Sequence, residues 1–218
     1  MIADIIKPIK LLKGSHADTG TTGQGCFLNV ISFLNGELQI TDNSPCVCII
    51  VKPIAIFLND FLKDEDRNLM ITYIEPAMGS VTHDKIELVR RANLVALFAN
   101  KCSLMAAAMS AKAAAMSAKD AAMSANSALY AKTAAKYAAE YADKTAAKSA
   151  RYCEYGESAA TYAMQASKYA ARSAAKSAEY YAEIKAAAFE FLDAALPKQV
   201  INDELIINRA KQLCELSA

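Results

Sequence analysis

The 218-residue chain has no tryptophan, few prolines and glycines, and almost no excess of charge of either sign. Its 24 Lys and Arg residues stand against 23 Asp and Glu residues, which gives a formal net charge of +1. This balance argues against a nucleic-acid coat or a polybasic membrane anchor, because both need excess positive charge to displace counterions or to meet anionic lipid. Nucleic acid is therefore not an expected partner.

Long apolar runs are also missing. The two most apolar stretches, CVCIIVKPIAIFL and LVALFANKCSLMAAAM, each carry a lysine near the centre. They fall short of the roughly 20 apolar residues that a membrane-spanning helix needs, so no membrane span is expected. The initial MIADIIKPIKLLKG lacks the apolar core and cleavage site of a signal peptide. The six cysteines are therefore predicted to be reduced thiols in a cytoplasm.

Glycine and proline are distributed unevenly. Four of the five prolines and six of the seven glycines precede Ser80, whereas residues 105–195 contain 36 alanines and no proline. Alanine is the best helix former, and disorder needs proline, glycine or unbalanced charge, so this tract is predicted to be helical. We predict a small helical globular region over residues 1–103, an alanine-rich helix over 104–195, and a C-terminal helical tail over 196–218.

The first region carries helix signals along most of its length. CFLNVISFLNGE follows a Gly-rich polar loop and is predicted to be a helix that ends at Asn35-Gly36. DEDRNLMITYIE is predicted to be a single helix, acidic in its first turn and ended by Pro76 and Gly79. HDKIELVRRANLVALFANK predicts a further helix. Between these, large apolar residues recur at helical spacing, at Ile54, Phe57, Leu58, Phe61 and Leu62. The predicted fold class is all-α.

The alanine-rich tract has two distinct faces if it is one helix. At about 100° per residue, its tyrosines fall within roughly 60° of Tyr130, and 11-residue spacings recur among them. This predicted interaction stripe comprises Tyr130, Tyr137, Tyr141, Tyr152, Tyr155, Tyr162, Tyr169 and Tyr180. Beside it lies a predicted small packing face that includes Ala135, Ala138, Ala142, Gly156, Ala160, Ala171, Ala174 and Ala178.

Gly156 decides between two arrangements of this tract. A glycine inside a helix costs only about 1 kcal/mol relative to alanine, and the tyrosine stripe resumes in phase after it, which favours one continuous helix about 135 Å long. The alternative is an antiparallel helical hairpin that turns near Gly156. Either arrangement leaves a tyrosine stripe and an alanine face to be covered, which predicts self-association or binding to another protein.

Candidate chemistry is confined to a few residues of the first region. Cys26 follows a Gly-rich loop and begins a predicted helix, where the helix dipole would stabilise a thiolate. It is a candidate nucleophile, although only His16 and His83 could supply an imidazole. His16, Cys26, Cys46 and Cys48 could form a Cys₃His zinc site, although the usual Cys-x-x-Cys spacing is missing. No phosphate-binding or dinucleotide motif occurs, and no cofactor is expected.

Four motifs of the first region, GCFLNVISFLNGE, TDNSPCVC, FLNDFLKDEDR and YIEPAMGS, follow one another over about 55 residues. In this order they resemble a family of uncharacterised proteins encoded by bacteriophages and some actinobacteria. The matching positions are Cys26, Gly36-Glu37, Cys46-Val47, Asn59-Asp60, Asp66-Arg67, Tyr73-Ile74 and Gly79-Ser80. Where the family has His-Pro this chain has Asn43-Ser44, with its proline one place later. A catalytic or metal-ligating role for that histidine would be absent here.

The resemblance implies a phage accessory protein that works in the cytoplasm of a bacterial host, and many members of the family also carry a variable alanine-rich tract before a short tail. We predict a non-enzymatic interaction or oligomerisation protein that binds copies of itself, or a host or phage protein, and interferes with a host defence. The alternative is an enzyme or small metal-binding protein centred on Cys26, Cys46 and Cys48.

Overall fold

The computed structural model describes residues 2–16, 18–115, 178–198 and 201–217. Within these ranges the chain is helical and has no sheet, only an isolated bridge between Leu11 and Gly25. The all-α prediction is therefore confirmed. The helices are α1 (Ile2–Ile6), α2 (Thr19–Thr22), α3 (Phe27–Asn35), α4 (Lys52–Phe61), α5 (Asp64–Arg67), a 3₁₀ helix (Asn68–Tyr73), α6 (Ile74–Met78), α7 (Lys85–Ala115), α8 (Ala178–Ala195) and α9 (Glu204–Ser217).

The chain divides into two compact units, and one of them is discontinuous in sequence. Met1–Thr82 and Ala195–Ala218 together form what we call the head unit, and His83–Ala194 form the inserted unit. These units differ from the predicted boundaries, which placed residues up to 103 in the globular region and treated 196–218 as a separate tail. The C-terminal residues belong to the head unit because α9 packs against α1, α2 and α3 and buries Ala210 and Leu213.

Helix α3 has the ends that its sequence predicts. Its N-cap is Cys26, whose sulfur accepts a hydrogen bond from the Asn29 amide, as side chains at this position commonly do. Its C-cap is Gly36, which has a φ of 74° and is therefore in the left-handed region that favours glycine. Between these ends, Phe27, Leu28, Val30, Ile31 and Leu34 are all buried, which places α3 at the centre of the head unit's core.

The segment after α4 differs from the single helix that was predicted for it. Asp64–Arg67 and Ile74–Met78 are short α-helices, and the six residues between them form a 3₁₀ helix. Pro76 does not end a helix but lies in the first turn of α6, where a proline is tolerated because the amide there has no partner within the helix. The shorter helices let Arg67 and Asn68 turn back towards the loop at Leu11.

In the inserted unit, α7 and α8 run antiparallel to each other. The Phe98 and Phe191 rings are 6.1 Å apart, Lys101 pairs with Glu190, and Arg90 donates to the Ala194 carbonyl at 2.8 Å. Partners of rising number on α7 thus meet residues of falling number on α8. A single straight helix over residues 104–195 would separate its ends by about 135 Å.

The continuous-helix prediction is therefore corrected at its described ends: residues 104–115 and 178–195 belong to separate helices, α7 and α8, that lie side by side. The predicted turn near Gly156 lies outside the described residues. None of the described helices is long and apolar enough to span a membrane.

Candidate functional site

A cleft at the N-terminal end of α3 brings several of the motif residues together. It is small, about 60 Å³. Pockets that hold small-molecule ligands are usually of roughly 300 Å³ or more, so this cleft has room only for a few water molecules or one small polar group. Its walls come from the loop before α2, the loop before α4, and α4 itself, with Gly14, Ser15, Cys26, Phe27, Leu28, Asp42, Ala55, Ile56, Asn59 and Asp60 as lining residues.

The Cys26 thiol is buried and bound to its own helix. It donates to the Asn29 Oδ1 at 3.0 Å while its sulfur accepts from the Asn29 amide at 3.4 Å. Burial raises the pKa of Cys26 to about 11. Hydrogen bonds from backbone amides lower this pKa, and the nearby carboxylates of Asp42 and Asp60 raise it further. The thiol is therefore protonated near pH 7, whereas a nucleophilic cysteine needs a depressed pKa.

His16 comes close to Cys26 in the fold but does not activate it. Its backbone amide donates to the Asn29 Oδ1 at 2.6 Å, the same oxygen that accepts the Cys26 thiol. Its imidazole Nε2 instead bonds the Lys13 carbonyl at 2.8 Å. Among the described residues no hydrogen bond joins this imidazole to the Cys26 sulfur, so the Cys-His pair of the enzyme hypothesis is not assembled.

Cys46 and Cys48 have other hydrogen-bond partners than Cys26. The Cys46 sulfur is 3.1 Å from the Ser44 hydroxyl, and Ser44 in turn donates to the Glu37 carboxylate, so the thiol is the donor to Ser44. Burial raises the pKa of Cys46 above its usual range. The Cys48 amide donates to the Ser80 hydroxyl at 2.8 Å. In the ranges that the structure describes, no three His, Cys, Asp or Glu side chains are arranged to hold a metal ion.

Asn59 and Arg67, two of the motif residues, tie the loop at Leu11 and Leu12 to the helices. The Asn59 side chain accepts from the Phe27 amide at 3.1 Å and donates to the Leu12 carbonyl at 3.0 Å. Arg67 is 3% exposed and donates to the carbonyls of Asn59 and Leu62, each at 2.7 Å. The same guanidinium pairs with Asp64 at 2.7 Å. These motif residues therefore hold the backbone in place.

The Gly-Glu motif plays a similar part at the other end of α3. The Glu37 carboxylate accepts from the Ser32 hydroxyl at 2.6 Å, from the Asn35 amide at 3.1 Å, and from Ser44. Ser32 also accepts from the Thr41 amide at 3.1 Å. Glu37 thus fixes the loop after α3. Sequence reasoning placed these residues in motifs but did not find the network, because it joins positions up to nine residues apart through side chains.

A second candidate surface lies on α7, which is apolar on two opposite faces. Leu88, Val95, Phe98 and Cys102 are buried. On the other side, Ile86, Leu97 and Leu104 are 81%, 60% and 63% exposed. Their spacings of 11 and 7 residues bring the three side chains within about 20° of one another around the helix. We call these three residues the α7 stripe; sequence reasoning missed it because it did not count helical phase along residues 85–104.

A groove between α7 and α8 continues from the α7 stripe at Leu104. It has a volume of about 360 Å³ and is open to solvent along one side. Two alanines and both members of the Lys101–Glu190 ion pair line it. The lining residues are Lys101, Leu104, Met105, Glu183, Ala186, Ala187 and Glu190.

The tyrosine stripe and the small packing face fall almost entirely beyond the described ranges. Tyr180 and Ala178 belong to the first turn of α8. The other residues of both predicted surfaces lie outside the described residues, so those two surfaces stay predictions.

In comparisons with known proteins, no family model, no curated protein and no solved structure matches the chain. The resemblance to the phage and actinobacterial family likewise stays a prediction.

Proposed function

We propose that the protein is a non-enzymatic interaction protein, which associates with copies of itself or with a host or phage protein through its helical inserted unit. The observation that carries this proposal is the α7 stripe. A helix that is apolar on opposite faces needs cover on both, and exposed apolar surface of this kind marks sites of protein association. One face of α7 is buried in the fold, and the other is available to a partner.

The chemistry of the head unit supports the same conclusion. Its candidate nucleophile has a raised pKa, its cleft holds little more than a few waters, and its motif residues are engaged in backbone hydrogen bonds. No observation favours an enzyme or a metal-binding protein centred on Cys26, Cys46 and Cys48. In the context that the family resemblance implies, the protein is a phage accessory protein that interferes with a bacterial defence or regulatory system by binding.

The test compares two charged substitutions on the full chain. Leu97→Lys with Leu104→Lys places two charges on the α7 stripe, while Leu38→Lys changes a fully exposed leucine of the head unit. All three positions are exposed, so folding should be unchanged. Burying an uncompensated charge in an interface should weaken association by at least about tenfold for the double variant and leave the Leu38 variant like wild type.

Association is measured by light scattering of the purified protein over a range of concentrations and by capture of proteins from bacterial lysate. A wild-type protein that is monomeric at every concentration and captures nothing would contradict the proposal. So would a double variant that associates as strongly as the Leu38 variant, since the partner would then bind elsewhere.

A further inference from the structure

The C-terminal helix α9 covers the first helix of the chain. α1 has only five residues, and both Ile2 and Ile6 are fully buried although α1 is too short to be stable alone. α9 packs against it more extensively than against any other helix. The Cys214 thiol of α9 donates to the Ile5 carbonyl at 3.0 Å. The two ends of the chain therefore bury each other's apolar residues.

Hydrogen bonds fasten the C-terminal segment at two further points. Arg209 of α9 donates to the Leu34 carbonyl at 3.1 Å, which satisfies one of the free carbonyls at the end of α3. Before α9 begins, the Ile201 amide donates to the Glu75 carboxylate at 2.6 Å. Glu75 is 2% exposed, so this bond lies inside the head unit.

Gly23 shows how closely α9 approaches. Its φ is 68°, and a Cβ built there would lie 2.6 Å from the Leu216 carbonyl carbon and 2.8 Å from the Leu213 carbonyl oxygen. These are backbone atoms of α9, which cannot swing aside as the end of a side chain can. Gly14 has a similar φ of 84°, yet a Cβ built there meets nothing within 4 Å. An alanine at either position would therefore have a strained backbone, but only an alanine at position 23 would also collide with α9.

We propose that α9 acts as a clasp for the head unit. The segments before and after the inserted unit then fold and unfold together as one cooperative unit, held closed by α9, and the inserted unit unfolds independently of the head unit. Opening of α9 then exposes α1, because neither helix is long enough to persist without its partner. The helices α7 and α8 have their own contacts, through the two phenylalanine rings and the Arg90 and Lys101 bonds, and do not depend on the clasp. Local stability in proteins is distributed in such cooperative units.

Hydrogen exchange followed by mass spectrometry on the full chain tests the clasp, with Gly23→Ala compared against Gly14→Ala. In Gly23→Ala, exchange should speed up by at least about tenfold beyond the Gly14 variant in both α1 and α9, because only this variant displaces α9. Exchange in α7 should stay at the wild-type rate in both variants.

Three outcomes would overturn the proposal. Faster exchange in α9 alone, with α1 unchanged, would mean that α9 opens without exposing α1. Equal effects of the two alanine substitutions would contradict the close approach of α9 to Gly23. Faster exchange in α7 would mean that the whole chain opens as one cooperative unit. If Gly23→Ala does not fold, Arg209→Met supplies the same comparison with a milder change. It removes the bond to Leu34 and should still speed exchange in α1 and α9 together.

Discussion

The head unit and the described helices of the inserted unit use polar and apolar residues in opposite ways. In the head unit, polar motif residues such as Asn59 and Arg67 are buried and hold loops by hydrogen bonds. On α7, three large apolar residues face solvent. The recognisable motifs therefore mark residues that build the fold, whereas the surface proposed to bind a partner consists of two leucines and an isoleucine that belong to no motif.

Loss of the Arg67 side chain should have the largest effect and should separate the two units. Arg67→Met leaves the carbonyls of Asn59 and Leu62 buried without donors, which should lower the free energy of unfolding of the head unit by about 3–5 kcal/mol. The helical signal of α7 and α8 should persist after the head unit has unfolded. Denaturant titration, followed by circular dichroism and by tyrosine fluorescence, records the unfolding of both units in one experiment and gives a transition midpoint for each.

The control for this prediction is Lys7→Met, which replaces an exposed cationic side chain of the head unit by the same residue. It should change stability by less than about 0.5 kcal/mol. If Arg67→Met behaved like Lys7→Met, the buried network would not be what holds the loop at Leu11. A single unfolding transition that includes α7 and α8 would show that the two units unfold together.

Cys26 should show a smaller effect, set by its role as an N-cap. Cys26→Ala removes the acceptor for the Asn29 amide and should cost about 1 kcal/mol, while Cys26→Ser retains an acceptor and should lie closer to wild type. In the unmodified protein at pH 8, Cys26 should react with a thiol reagent more slowly than Cys214, because burial raises the pKa of both thiols but only Cys26 is fully buried. Rapid modification of Cys26 would restore the enzyme hypothesis.

The features that sequence reasoning found were local ones. The ends of α3 follow from a residue before the helix and a glycine after it, within one turn of each end. The bond from Cys214 to Ile5 joins residues 209 positions apart, and no local pattern records such a contact. A prediction from propensity and spacing alone therefore assigned the C-terminal residues to a separate tail.

The continuous-helix prediction failed for a related reason. Helical phase is calculated from residue number alone, at a fixed angle per residue. Two separate helices can therefore show the same in-phase tyrosines as one continuous helix, and the tyrosine stripe does not distinguish them. The contacts of Phe98 and Arg90 with α8 settle the direction of the chain at its two described ends. The candidate cleft shows the same limit: Cys26 and His16 were found, but their separation by Asn29 depends on tertiary structure.

The smallest predicted effect concerns pH and the inserted unit. Glu87 accepts from Arg90 and Arg91 at 2.6–2.7 Å, and the hydrogen bonds to Arg90 hold its pKa at about 2 instead of 4.5. A folded-state pKa below the unfolded one stabilises the protein above the unfolded pKa, and this is lost as pH falls through the folded pKa. Because Glu87 is partly exposed, solvent screening limits the contribution to about 1 kcal/mol or less.

Between pH 4.5 and pH 2, the helical signal of α7 and α8 should therefore become easier to unfold in the wild type. Glu87→Gln should remove that slope and be less stable than the wild type at pH 7, because an amide oxygen pairs weakly with a guanidinium. Thermal unfolding across this pH range measures both effects. Identical pH profiles for the two proteins would mean that the ion pairs of α7 are screened as fully as isolated surface pairs, and that its packing against α8 alone keeps these helices together.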